Sequence, residues 1–312
     1  NAIEIAIQDD MQGVVDAINQ NVAGVNAELG GNNSLVLTND SGVSIAVAGT
    51  SPTGVGLVAD TYEGFYKLEN VDGSDVTVEL GNLANGYVQE ATALPANLNA
   101  YGLNETDGAG HLKSISVTSD NLSTTDQITI NGASVGATLQ NSAQAKAAAI
   151  NLVSEESGVT ATATTTMFLD LDFAITPTDA SFEVNGTAIA VATSDDVQEV
   201  AAAINTADVG VYATATSTGL MQLFDAGGRN IQIDMSSLNT FVTGGFDADN
   251  LAIATGAQMI ARGNIELTAA DGGHIQLEDG TLTNTGLAKL GLEASSEMAT
   301  SQSGGVNVST LA

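Results

Sequence analysis

A repeated Ile-Asn pair sets the organisation of this 312-residue chain. It occurs at Ile18-Asn19, Ile150-Asn151 and Ile204-Asn205. An Asn-Gly pair precedes the last two, at Asn131-Gly132 and Asn185-Gly186. In both copies 20 residues separate the Asn of the Asn-Gly pair from the Asn of the Ile-Asn pair. Such internal similarity means that one supersecondary unit recurs. Counting back the same interval from Asn19 passes Asn1, so the first copy is expected to begin partway through its motif.

Each unit can be read residue by residue. Gln127 to Ile130 alternates polar and apolar side chains, the pattern of a half-buried strand. Asn131-Gly132 tolerates positive φ at both positions and predicts a tight hairpin, with a return strand over 134–138. The later copy repeats this with Phe182 to Val184, Asn185-Gly186 and a return strand over 188–192. A helix follows, expected from about Ser194 to Asn205. Thr193 or Ser194 would cap it, with Asp195 and Asp196 in its first turn. Val197, Val200, Ala201 and Ile204 share one helical face. The matching residues are Val14, Val15 and Ile18, opened by Asp9 and Asp10, and Ala143, Ala147 and Ile150. The Asn after each Ile sits where a left-handed C-terminal cap is expected. A Gly-Val pair then leads into the next strand, at Gly24-Val25, Gly158-Val159 and Gly210-Val211, with an Ala two residues beyond each Val.

A second half-unit reads as a hairpin across an acidic, Gly-containing turn. It runs from Leu35–Leu37 across 40–42 to Ile45, and from Leu68 across 72–73 to Val76 and Val78. It recurs from Leu220–Phe224 to Ile231 and Ile233, and from Ile265–Leu267 to Ile275 and Leu277. Helical spacing also appears from Leu251 to Ala261. The expected fold class is therefore α+β and β-rich overall: a multi-domain string of small modules, each an antiparallel β-hairpin or sheet with one short helix. The expected divisions are 1–60, an Ile-Asn module truncated at its start; 61–125, a β-rich irregular module; 126–178 and 179–243, two further Ile-Asn modules; and 244–312, a β/α module that can pack with the first. Pro52, Pro95 and Pro177 fall in loop-like stretches.

Charge narrows the partners. Six Lys+Arg against 37 Asp+Glu give a net charge of −31. A polyanion is repelled by nucleic acid and by anionic membranes, and it stays soluble at high local density. The absence of Cys excludes disulfides and thiolate metal sites. No apolar run reaches the roughly 20 residues of a membrane-spanning helix. No nucleic-acid partner and no membrane insertion are expected.

Catalytic groups are few. His111 and His274 each lie beside a Gly and read as exposed turn residues. Asp170-Leu171-Asp172 and Asp247-Ala248-Asp249-Asn250 resemble fragments of calcium loops, without the Gly and Glu of an EF-hand. They read as solvated strand or cap residues, with the first two carboxylates on one face of a strand. Thr160 to Thr166 reads as a strand, with O-glycosylation as the other reading. The Asn-x-Ser/Thr sequons at Asn104, Asn121 and Asn307 are discounted. No catalytic, cofactor or metal residues are assigned; the singled-out residues are those of the structural motif.

The run from Asp126 to Gly132, followed by Ala147 to Asn151 and Gly158 to Ala161, resembles the flagellin hook IN motif. The copies at 182–213 and 3–27 resemble it too. That repeat is found in bacterial flagellins and hook-associated filament proteins. The resemblance implies a chain without catalysis or cofactor, exported through the flagellar apparatus and exposed on the filament surface outside the cell. Long core helices are missing, so it implies the outer, variable domains. Its partners would be other flagellin subunits of a homopolymeric filament, with surface glycans or neighbouring outer domains as further contacts. A hook-associated cap protein or a filament-borne adhesin would carry the same modules. The ending from Gly305 to Ala312 resembles the run back into a core helix, which would place Asn1 and Ala312 at one end.

Overall fold

The computed structural model describes residues 10–29, 35–39, 41, 43–48, 60–62, 67–69, 71, 76–79, 98–99, 101, 103–108, 110–174, 180–192, 195–235, 241–273, 275–279, 285–293, 296–298 and 305–308. The expected strand at 1–7, the caps at Thr193 and Ser194, the three prolines, His274 and Asn1 and Ala312 lie outside them. The protein is β-rich α+β, with several small antiparallel sheets and short helices. Two compact units divide the chain, residues 1–67 with 307–312, and residues 68–306.

The first unit holds helix α1 (Met11–Asn21) and strands β1 (Asn26–Leu29), β2 (Leu35–Thr38), β3 (Ile45–Val47) and β4 (Asp60–Tyr62); β5 (Lys67–Glu69) follows. Asp10 caps α1, its carboxylate accepting from Gly13 N at 2.7 Å. Val14, Val15 and Ile18 pack with Ala27 as a small core.

In the second unit come β6 (His111–Lys113), β7 (Ile128–Ile130), β8 (Ala133–Ser134), α2 (Ala143–Asn151), α3 (Ser154–Ser157) and β9 (Val159–Leu171). Then follow β10 (Ala180–Val184), β11 (Thr187–Val191), α4 (Val197–Ala207), β12 (Tyr212–Ala215), β13 (Met221–Asp225) and β14 (Ile231–Asp234). The chain continues through β15 (Val242–Asp247), β16 (Gln258–Ala261), β17 (Asn264–Ala269), β18 (Leu277–Asp279) and α5 (Thr285–Lys289). β19 (Ser296–Met298) and β20 (Gly305–Val308) are the last described elements.

Both Asn-Gly turns have positive φ at each central residue, 49° and 81° at Asn131-Gly132 and 50° and 80° at Asn185-Gly186. That double left-handed geometry matches the right-handed twist of the flanking strands. The helix of the third copy starts later than expected. Asp196 is its cap, and Glu199 completes a capping box by accepting from Asp196 N at 2.7 Å.

The half-units at Leu35, Leu220 and Ile265 do not close as hairpins. β2 pairs β1 while β3 pairs β4. β13 pairs β12 and β9, whereas β14 pairs β10 and β16. β17 pairs β9 and β6, whereas β18 pairs β7. Val78 bridges Thr106. Alternation marks a strand with one buried face; it does not name the neighbour. In the second unit the turn carries the chain from one sheet to another, so both strands present apolar side chains to a shared interior. The segment 251–261 is not a helix; it ends in β16 on the edge of β14, where Met259 and Ala261 alternate inward.

These pairings nest the modules. The module opened by β7 and β8 continues into β9 and is completed by β17 and β18, while β10 to β14 form the next module between them. The segment after 244 therefore supplies strands to the module begun near 126. β9 serves both modules: residues 159–164 pair β17, and residues 165–171 pair β13 and β15. Its burial alternates along 13 residues, with Thr160, Thr162 and Thr164 outward, so 160–166 is a strand as expected.

Candidate functional site

The Ile-Asn pair sits in the last turns of three helices. Ile18, Ile150 and Ile204 are buried. A residue one step along a helix is rotated by about 100°, so the Asn leaves the core face and points along its margin. There each amide meets the backbone of the strand that follows. Asn19 Nδ2 donates to Ala27 O at 2.9 Å, and Ala27 N donates to Asn19 Oδ1 at 2.7 Å. Asn151 and Ala161 make the same pair at 2.8 and 2.7 Å, and Asn205 and Ala213 at 2.7 and 2.8 Å. A side-chain amide carries a donor and an acceptor side by side. It therefore pairs with a strand edge as another strand would.

This corrects the expected capping role. The C-terminal caps are Val22, Leu152 and Asp208 instead. The left-handed turns fall on Gly24, Gly158, Asp208 and Gly210. Asn19, Asn151 and Asn205 keep helical backbone, because their polar groups are spent on the next strand. Each clamped Ala lies opposite a Leu in the adjacent strand: Leu37, Leu267 and Leu223.

The turn asparagines are tied into the same construction. Asn131 Nδ2 donates to Ser157 O at 2.8 Å, and its Oδ1 accepts from Gln276 N at 2.7 Å. Asn185 Nδ2 approaches Val209 O at 3.4 Å, and its Oδ1 accepts from Gln232 N at 2.9 Å. In both modules the turn amide joins the residue before the left-handed Gly to the strand that returns beside the hairpin. Gly132 and Gly186 supply the turn backbone.

Three polar clusters involve neither the Ile-Asn nor the Asn-Gly pairs. Asp225 is buried; it accepts from Gly227 N at 2.8 Å and pairs with Arg229, which reaches Gly210 O at 2.7 Å. Lys146 is fully buried on α2 and donates to Thr118 O at 3.0 Å and Lys289 O at 2.7 Å. Burial lowers its pKa to about 8, against the opposing pull of Asp120. The Lys289 ammonium binds both oxygens of Asp126 at 2.7 and 2.9 Å. Burial alone would raise the Asp126 pKa, but Lys289 and Ser123 outweigh it and hold it low. Neither lysine was marked by its surroundings in the sequence; an Ala-rich helix gives no sign that one long cation points inward.

The carboxylates of Asp247 and Asp249, expected as solvated strand or cap residues, are engaged in hydrogen bonds. Asp247 accepts from Asp249 N at 3.0 Å and Leu251 N at 2.9 Å. Asp249 accepts from Ser116 N at 2.6 Å and Asn264 Nδ2 at 2.8 Å. Burial raises the Asp249 pKa, against the hydrogen bonds from Ser116. Both residues are buried rather than solvated. Asp170 and Asp172 flank buried Leu171 as alternation requires. Among the described residues no group of three His, Cys, Asp or Glu could hold a metal ion. His111 is the first residue of β6, not a turn, with Nδ1 3.4 Å from Glu266 Oε1 and 3.6 Å from Asp107 Oδ2. Asn104 is buried, and its Oδ1 accepts from Glu293 N at 3.0 Å. No described helix is long and apolar enough to cross a membrane.

No protein-family profile matches the chain, and no curated protein matches it.

Proposed function

We propose that this chain forms outer, surface-exposed domains of a bacterial flagellin, a non-catalytic structural subunit of the filament. The observation that carries the reading is the Ile-Asn unit, present three times with the same two-bond clamp. Two further features support it. β9 runs through both nested modules and joins them by strand pairing, a continuity that suits a spacer projecting from a filament. The charge of −31 keeps closely packed copies apart in solution.

Gold-labelled antibodies raised against the chain test the reading on intact producing cells. Label along whole filaments is the expected result. Label confined to filament tips or hook junctions would assign the chain to a hook-associated protein. Label on cell bodies with bare filaments would overturn the flagellar reading.

A further inference from the structure

The outward face of the sheet around β9 carries four aromatic side chains. Tyr212 lies opposite Phe224, which lies opposite Thr166. Two residues along, Thr214 lies opposite Gln222, Gln222 opposite Phe168, and Phe168 opposite Phe246. Residues in register share a face, so these side chains stand together. The opposite face holds the buried Ala213, Leu223, Met167 and Leu169. Phe168 and Phe246 stack with centroids 4.9 Å apart. Tyr212 is 63% exposed, and the three Phe are half-buried.

The strip is unusual for this chain, which has five Tyr, seven Phe and no Trp. A third of its aromatic residues gather on one outward sheet face. The side chains between them, Thr166, Thr214 and Gln222, are neutral, and the next outward residue of β9 is the exposed Asp170. No Lys or Arg stands in the strip.

We propose that this strip docks a cationic, extended segment of a partner protein, with Lys or Arg side chains lying on the rings. Charge complementarity selects that occupant. A chain at −31 concentrates cations around itself and repels anions. Ring faces attract cations, and Asp170 sits at the margin to pair with one. The surface works in this way whether or not the chain belongs to a filament.

The test uses the full chain and a fluorescein-labelled hexa-arginine peptide, read by fluorescence anisotropy. Tyr212→Ala is expected to weaken binding roughly threefold, and Tyr212→Ala with Phe224→Ala on the order of tenfold. Glu155→Gln, on α3 and outside the strip, is expected to stay within about twofold. Equal affinity for the Tyr212→Ala and Glu155→Gln proteins would overturn the proposal, because the attraction would then be diffuse charge. Maltohexaose binding that disappears with Tyr212→Ala, while peptide binding persists, would overturn it in favour of a glycan platform. Tyr212 is exposed, so its variant decides the matter even if Phe224→Ala fails to fold.

Discussion

Asn205 and Ala213 close a ring of two hydrogen bonds, 2.7 Å from Asn205 Nδ2 to Ala213 O and 2.8 Å from Ala213 N to Asn205 Oδ1. Ala213 is buried, so its peptide groups have lost water and depend on the amide. Replacing Asn205 with Ala leaves both unpaired and is expected to destabilise the protein by about 1–3 kcal/mol. Asn205→Asp keeps the acceptor but removes the donor and sets a carboxylate against Ala213 O. Relative to wild type, that variant should be weakest at neutral pH and recover as the carboxyl is protonated. Urea unfolding of each protein at pH 7 and pH 4 measures both effects; an Asp variant as stable as wild type at pH 7 would remove the clamp's energetic role.

Two glycines separate backbone strain from crowding. Gly186 has φ of +80° and nothing within 4 Å of an added Cβ. Gly186→Ala should cost only the strain of a left-handed alanine, about 1 kcal/mol. Gly228 has φ of +74°, and an added Cβ would collide with Ala163 Cβ and lie 3.1 Å from Gln144 N. Gly228 O also accepts from Gln144 N at 2.9 Å, joining the inserted module to α2. Gly228→Ala must push the two modules apart and should cost several times more, about 3 kcal/mol or above. Denaturation midpoints of the pair decide this; equal losses would mean that the joint yields freely.

Lys146 makes stability depend on alkaline pH. Its folded pKa is about 8, below the ordinary 10.5. Between those values the unfolded chain binds more protons at this site than the folded one, so stability rises with pH. The gain from pH 8 to about 10.5 is of order 3 kcal/mol, and it is absent in Lys146→Met. The difference between wild-type and variant unfolding free energies across that range isolates the lysine from other titrating groups. A parallel pH course in the two proteins would show that Lys146 is not responsible.

Asp126 works in the opposite direction. Lys289 holds its pKa below the ordinary carboxylate value. Its contribution is complete above the unfolded pKa and is lost as pH falls through the folded one. Asp126→Asn should be destabilising at pH 7, by about 1–3 kcal/mol, and the gap to wild type should close towards pH 2. Acid titration of both proteins by circular dichroism checks the sign.

β9 should make the nested modules unfold together. Met221 of β13 is buried against the second half of β9, while Ile130 and Leu277 belong to the parent module. Met221→Ala is expected to speed hydrogen exchange at Ile130 and Leu277 as well as at its own strand. Exchange confined to residues 180–235 would mean that the insert opens alone.

Much of the local structure was legible in the sequence. Asn-Gly at 131 and 185 demanded positive φ whatever its surroundings, because few other residues tolerate it. The helix faces of Val14, Val15 and Ile18, and of Val200, Ala201 and Ile204, followed from a 3.6-residue period. Alternation placed the strands at 128–130, 182–184 and 160–166. These features depend on neighbours a few residues apart.

Pairing and partner choice were decided only by the tertiary structure. Alternation is the same for a hairpin and for two strands of different sheets, so it carries no information on which strand either half of a half-unit pairs with. The nesting of β10 to β14 inside the module of β7 to β9 and β17 to β18 rests on pairings between residues about 100 to 150 apart in the chain. The Asn of each Ile-Asn pair reads from the sequence as a C-terminal helix cap, whereas the structure spends its amide on the strand that follows. That use depended on where Ala27, Ala161 and Ala213 came to lie. The sequence determined which residue had to be an amide; the tertiary structure brought the strand edge within 3 Å of it, where two hydrogen bonds replace water on buried peptide groups.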